Sequence, residues 1–129
     1  MASKNTFAPQ LFIPSGTRDI SFYLNAFGAV ETLKFLNDDG TVHVAELSID
    51  GTIFHLHEEG QDKGRLDPKK VNGTTALIGL FVEDVDLVIN NAIKAGATLL
   101  SPARDFEYGY RQGDFIDPFG HQWMIEKKL

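Results

Sequence analysis

Two histidines separated by one residue are the side chains best suited to bind a metal or to move a proton. His55 and His57 fall in segment 52–57, where apolar and polar residues alternate as in a β-strand. Residues two apart on a strand project from the same face, about 6.6 Å apart, so both imidazoles could contact one ion. The side chains that could supply a third donor are Gln10, Glu46 and Glu126. A plainer interpretation, which we favour, is that one histidine lines a cleft and the other lies near the strand end.

A second group of candidate residues combines aromatic rings with one guanidinium. Tyr108, Tyr110, Arg111 and Trp123 are close in sequence, and such a group suits a flat or anionic organic ligand through stacking and a bidentate hydrogen bond. Trp123 could instead be core, as most of the ten phenylalanines must be. Asp117 and His121 flank a tight turn and are expected to be structural. The chain has no nucleophile–base pattern and no phosphate-binding glycine loop.

Composition narrows the classes of function. The net charge of −6 argues against nucleic-acid binding, which needs a basic face. The absence of cysteine excludes thiol chemistry. No apolar run approaches the ~20 residues of a membrane span, and the N-terminal residues do not resemble a signal peptide. We therefore expect a cytoplasmic protein with no nucleic-acid or membrane partner.

An internal repeat indicates how these residues are positioned. Residues 11–14 and a following helical pattern ending at 27–29 match residues 79–82 and a second helical pattern ending at 95–97, about 68 residues later. Each helical pattern is followed by strand patterns, at 31–36, 42–49 and 52–57 and again at 98–100, 109–116 and 122–125. The sequence predicts an α+β fold with the order βαβββ twice. We expect one domain over residues 1–129, with module one at about 7–59, a linker at about 60–73 and module two at about 74–129.

The helix ends and the core follow from the same patterns. Ser15 or Thr17 is predicted to cap the first helix and Asp84 the second, while the linker is predicted to lack regular structure because it contains Pro68. The residues predicted to be mostly buried are Phe22, Leu24, Phe27, Val88, Ala92 and Trp123.

Several motifs in the right order resemble the vicinal oxygen chelate superfamily of glyoxalases, bleomycin-resistance proteins and extradiol dioxygenases. The motifs are ISFY at 20–23 leading to AFGA at 26–29, EDVD at 83–86 leading to AGA at 95–97, and YGYRQG at 108–113 with DPFGHQW at 117–123. The closing stretch is most similar to the PhnB-like branch. The resemblance implies two βαβββ modules that curve into a half-open barrel around a pocket, often completed by a second subunit.

The resemblance also implies a divalent metal held by the first and last strand of each module. The matching positions are Ala8, His55, Leu77 and Met124, with Gln10 two residues beyond Ala8 on the same strand face. Only His55 among the four is a competent ligand for such an ion. The resemblance therefore implies a member of this superfamily that lacks the usual metal site.

Two functions from different classes remain open. The first is a homodimeric protein that binds a small aromatic or amphipathic molecule in an apolar cleft with no cofactor. Its predicted ligand-binding residues are His55, His57, Leu77, Tyr108, Tyr110, Arg111, Trp123 and Met124. The alternative is a lyase, isomerase or dioxygenase that uses a divalent metal ion held by His55, His57 and Glu126.

Overall fold

The computed structural model describes residues 5–129 as two four-stranded sheets with a helix in each repeat. In module one the elements are β1 (Gln10–Ile13), α1 (Phe22–Phe27), β2 (Val30–Leu36), β3 (Val42–Ile49) and β4 (Thr52–Glu58). A 3-10 turn (Gln61–Lys63) and α2 (Pro68–Val71) follow. In module two they are β5 (Leu77–Phe81), α3 (Val85–Lys94), β6 (Thr98–Phe106), β7 (Tyr110–Ile116) and β8 (Gln122–Lys128).

Both sheets have the same topology. Their strand orders are β1-β4-β3-β2 and β5-β8-β7-β6, with the first pair parallel and the others antiparallel. Asp50 and Gly51 both have positive φ, of 49° and 85°, as the tight turn between β3 and β4 requires. The predicted α+β fold with two βαβββ modules is confirmed.

The core lies between the helices and one face of each sheet. Alternate residues of the strands, such as Leu56 on β4 and Phe115 on β7, are fully buried on that face, and α1 packs against α3. Trp123 is 2% exposed and contacts the rings of Tyr23 and Phe54 from the other module. The two helix-covered faces therefore bury their apolar side chains in a common core.

Asp117 joins the modules through buried hydrogen bonds. Its carboxylate accepts from the Tyr23 hydroxyl at 2.6 Å, from the Trp123 indole at 3.0 Å, and from the backbone N–H groups of Phe119 at 2.8 Å and His121 at 3.1 Å. The His121 ring in turn donates from Nε2 to the backbone carbonyl of β1 at 2.8 Å. The structural roles predicted for Asp117 and His121 are confirmed.

The first helix is shorter than the sequence predicts. It begins after Ser21, whose backbone N–H and hydroxyl both donate to Asp19, so the prediction that Ser15 or Thr17 caps it was wrong. Over only six residues the buried stripe is narrow, and Leu24 lies on the outer side with 36% exposure, contrary to prediction. Phe22, Ala92 and Trp123 are buried as predicted, whereas Phe27 and Val88 are half-buried. The predicted Asp84 cap is confirmed by its bond from the backbone N–H of residue 87 at 3.1 Å.

The segment between the modules is more regular than predicted. Asp67 caps α2 by accepting from the backbone N–H of Lys69 at 3.0 Å, and Pro68 occupies the first helical position, where no N–H is needed. The same residue that suggested a break therefore starts a helix. In module two, β6 continues beyond Pro102 to Phe106 because register shifts in this stretch take the proline out of the ladder.

Candidate functional site

Each sheet has a second face that no helix covers, which we call its open face. On module one this face contains Gln10, Phe12, Leu33, Phe35, Glu46, Ile53, His55 and His57. Leu33 is 49% exposed and Phe35 55%, so apolar side chains reach solvent around a polar centre. On module two the open face contains Leu77, Phe81, Arg104, Phe106, Tyr110, Gln112, Met124 and Glu126.

The polar centre of module one is a chain of hydrogen bonds through both histidines. The Gln10 side chain donates from Nε2 to His55 Nδ1 at 2.6 Å and accepts at Oε1 from His57 Nε2 at 2.6 Å. Because an amide nitrogen can only donate, His55 carries its proton on Nε2, which lies 3.0 Å from Glu46 Oε1. The other oxygen of Glu46 accepts from the Thr32 hydroxyl at 2.8 Å. Both histidines are therefore held in one tautomer.

The charges of Glu46 and His57 in this hydrogen-bond network follow from their contacts. The hydrogen bond from Thr32, and then the bond from His55, hold the pKa of Glu46 below its ordinary value of 4.5, so this carboxyl is ionised. Partial burial, followed by the charges of His55, Arg65 and His43, lowers the pKa of His57 from 6.5. His57 is thus neutral at pH 7, and its Nδ1 is left as an acceptor for a ligand.

The four positions matched to metal ligands do not supply a donor set for the usual ion. Gln10 pairs with His55 and Gly79 with Met124 in the two parallel strand pairs, which places Ala8 and Leu77 in equivalent positions of the repeat. Apart from His55, these matched side chains have no nitrogen or oxygen donor. Within residues 5–129, no three His, Asp or Glu side chains come together as a metal-binding group.

The alternative set of His55, His57 and Glu126 is divided between the two sheets. The rings of His55 and His57 share one face with their centroids 6.0 Å apart. Glu126 lies on β8 and accepts from the Gln112 amide at 2.8 Å. The prediction that these three residues could bind a metal remains a prediction.

On module two, aromatic rings form a continuous row. The ring centroids of Phe81 and Tyr110 lie 6.2 Å apart, those of Tyr110 and Tyr108 6.0 Å, and those of Tyr108 and Phe106 5.1 Å in a stacked arrangement. The guanidinium of Arg104 lies 4.2 Å from the Phe106 centroid. The structure thus brings Tyr108 and Tyr110 together as candidates for stacking.

Polar atoms accompany this row. The Tyr108 hydroxyl donates to Gln112, which bonds to Glu126. One carboxylate oxygen of Asp114 is buried without a hydrogen-bond partner among the described residues. Met124 is half-buried on the same face, and Leu77 is 52% exposed.

Two predicted ligand-binding residues lie away from the open faces. Trp123 points into the core between the modules. Arg111 bonds to both oxygens of Asp86 on α3, at 3.0 and 2.9 Å, and to Asp105 at 2.9 Å. The hydrogen bonds that Arg111 donates to Asp86, and then those to Asp105, raise the pKa of Arg111 above its ordinary value. A ligand would have to compete with two carboxylates for this guanidinium.

Sequence reasoning did not identify Phe81, Arg104 and Phe106 as site residues, and considered Glu46 only as a metal ligand. For Arg104 and Phe106, the signal was the alternation of side chains along β6, the long strand that pairs with the strand of Tyr110 across a tight turn. That partner was predicted to end at residue 100.

None of the helices in residues 5–129 has the length and apolar character needed to span a membrane.

Comparisons with known proteins agree with this architecture. The family model described as the Glyoxalase/Bleomycin resistance protein/Dioxygenase superfamily matches residues 8–125. The uncharacterized protein Rv0887c of Mycobacterium tuberculosis H37Rv is 35% identical over 121 residues, which cover 92% of this chain and 71% of that protein. TioX from Micromonospora sp. ML1 has a TM-score of 0.71 at 23% identity over 97% of both chains. The fosfomycin resistance protein FosX from Mesorhizobium loti has a TM-score of 0.67 at 14% identity, covering 99% of this chain and 95% of its own. At these identities the two structures show the shared fold alone.

Proposed function

Because the chain belongs to the Glyoxalase/Bleomycin resistance protein/Dioxygenase superfamily, we propose that it binds a small aromatic or amphipathic molecule without the superfamily's usual metal. The observation that carries this proposal is the open face of module one, where exposed apolar side chains surround two histidines held by hydrogen bonds to Gln10 and Glu46. We keep the assignment to the PhnB-like branch, on the resemblance of residues 108–123 alone.

The ligand's polar group is expected to be a hydrogen-bond donor. His57 is neutral and directs its Nε2–H to Gln10, so its Nδ1 offers an acceptor. A phenol or an amide N–H would satisfy it, while an aromatic body would contact Phe12, whose ring centroid is 5.9 Å from that of His57. The row of rings ending at Tyr108 supplies a second stacking surface.

We propose further that the protein is a homodimer. Phe35 on module one and Phe81 on module two are 55% and 59% exposed, and both belong to open faces that no helix covers. Apolar surfaces of this kind are commonly closed by a C2-related copy. The open face would then become the wall of a cleft. Light scattering at micromolar concentration should give the dimer mass, and a monomer mass would refute this part of the proposal.

The proposal is tested by metal content and by a substitution on the same protein. Material purified without chelator should contain no stoichiometric zinc, nickel, iron or manganese. For a phenolic ligand selected by calorimetric screening, His57→Gln should weaken binding by about 1–2 kcal/mol, the value of one polar contact. His43→Gln is the matched control, because its Nδ1 bonds to Glu58 at 2.7 Å, outside the network.

A metal-dependent lyase, isomerase or dioxygenase is the second candidate. It is favoured by the 3.0 Å separation of His55 Nε2 and Glu46 Oε1, which is close to the spacing of two neighbouring ligands on one ion. His57, with its ring centroid 6.0 Å from that of His55, would have to turn to supply a third ligand. Release of a stoichiometric metal by His55→Gln, or loss of a measurable turnover, would replace the binding proposal with this one.

A further inference from the structure

A groove beside the histidine network runs between β1 and the segment that connects the modules. Its volume of about 540 Å³ falls in the range of small-molecule sites. Its lining includes Gln10, Phe12, Leu66, Pro68, Val71 and His121. The walls are mainly apolar: Leu66 and Phe12 are half-buried, and Val71, the last residue of α2, is 56% exposed.

The groove is built by defined contacts on both sides. On one side, the Asp67 side chain caps α2, and Pro68 starts it, so the helix that carries Val71 has a fixed position. On the other side, His121 donates to the Phe12 carbonyl at 2.8 Å and holds β1 against module two. Residues 73–76, which lead into β5, complete the lining between these two sides.

A cation without a carboxylate partner lies beside this groove. The guanidinium of Arg65, the residue before Leu66, is 6.0 Å from the centroid of the Phe12 ring. Within residues 5–129 no carboxylate pairs with it. The nearby Glu59 bonds to the ammonium of Lys70 at 2.7 Å instead. On a chain of net charge −6, this group provides local attraction for an anion.

We propose that the groove binds a free amphipathic organic anion. The apolar part of the ligand lies against Phe12, Leu66 and Val71, and its carboxylate or sulfonate accepts hydrogen bonds from Arg65. A guanidinium held over an aromatic ring keeps its N–H edge free for such a group. This site adjoins the open face of module one, with which it shares Gln10 and Phe12, but it involves neither of the histidines at the polar centre.

Two fluorescent probes with nearly the same rings test the proposal. 8-Anilino-1-naphthalenesulfonate carries the anionic group, and N-phenyl-1-naphthylamine lacks it. Arg65→Gln should weaken binding of the sulfonate about fivefold, the upper value for an exposed ion pair, and leave the neutral dye unchanged. Val71→Asp should weaken both, because it places a carboxylate in the apolar wall. Arg18→Gln is the matched control and should change neither, since this arginine donates to the backbone carbonyl of Asp39 at 2.6 Å and does not line the groove.

Three results would overturn the proposal. The first is an equal loss of both dyes in Arg65→Gln, which would mean that packing and not charge is involved. The second is binding that is unaffected by Val71→Asp but lost in Phe35→Asp, which would place the dye on the open face and support the proposed function instead. The third is sedimentation with phosphatidylglycerol vesicles that Val71→Asp abolishes, which would make the groove a membrane contact.

Discussion

Replacing Asp117 by Asn changes one atom at the junction of the modules. The carboxylate has four donors: Tyr23 and Trp123 on Oδ2, and the backbone N–H groups of Phe119 and His121 on Oδ1. An amide keeps only one acceptor oxygen. If that oxygen stays with the backbone groups, the new NH₂ faces Tyr23 and Trp123. The phenol can rotate to accept a hydrogen bond, but the indole N–H cannot.

One buried indole donor is therefore left without a partner. Such a group costs about 1–3 kcal/mol, and the loss of charge weakens the remaining bonds to residue 117. We expect Asp117→Asn to lower the free energy of unfolding by about 2–4 kcal/mol. Tyr23→Phe removes a single donor and should cost about 1 kcal/mol.

Urea denaturation measures this loss directly. Trp123 is the only tryptophan in the sequence, so its emission reports unfolding of the core, and far-UV circular dichroism provides a second probe of the same transition. Asp105→Asn is the matched control, since that carboxylate is 61% exposed and, among residues 5–129, bonds only to the Arg111 side chain. A loss below about 0.5 kcal/mol in Asp117→Asn would refute the reasoning, because the four bonds would then contribute nothing beyond those of a surface residue.

Three other perturbations have defined outcomes. Burial, and then the charge of Asp117, raises the pKa of Tyr23 well above 10.0. The neutral Tyr23 side chain therefore contributes fully to stability below its unfolded pKa of about 10, and this contribution is lost at higher pH. Tyr23→Phe should flatten the decline in unfolding free energy above about pH 10. A methyl group at Gly113 would lie 2.9 Å from a backbone nitrogen of β6, so Gly113→Ala should cost about 2–3 kcal/mol in urea denaturation, whereas Gly73→Ala, with open space around it, should be neutral. In NMR titrations His57 should have a pKa below 6.5, which Arg65→Gln should raise because it removes one of the nearby positive charges.

The repeated order of elements could be predicted because it depends on local patterns. Hydrophobic spacing located α1, α3 and nearly all strands, and the turn residues Asp50 and Gly51 marked the β3–β4 hairpin. The late start of the first helix could not be predicted, because it depends on the hydrogen bonds that the backbone N–H and hydroxyl of Ser21 donate to Asp19. The pattern of apolar residues before it is equally compatible with a longer helix.

The candidate site was only partly accessible from the sequence. The pairing of His55 and His57 on one face followed from strand geometry, but the role of Gln10 as the bridge between them depends on the parallel register of β1 and β4. The partners of Arg111 were also not predictable, since Asp86 lies on α3 and comes near Arg111 only through the packing of that helix against the sheet. Long-range register and packing decide both cases.

The irregular outer strands limit how copies of this protein can associate. Each sheet has two edge strands. At one edge, β2 and β6 both contain register shifts, and β6 also contains Pro102, which cannot donate to a neighbouring strand. At the other edge, β1 and β5 are only four and five residues long. Edges interrupted or shortened in this way are poor templates for adding strand after strand. In the C2 dimer proposed above, the two copies cover the same surface on each other, so this contact does not extend to a third copy. The protein should therefore form finite particles and resist growth into fibrils, even though several large apolar side chains reach solvent.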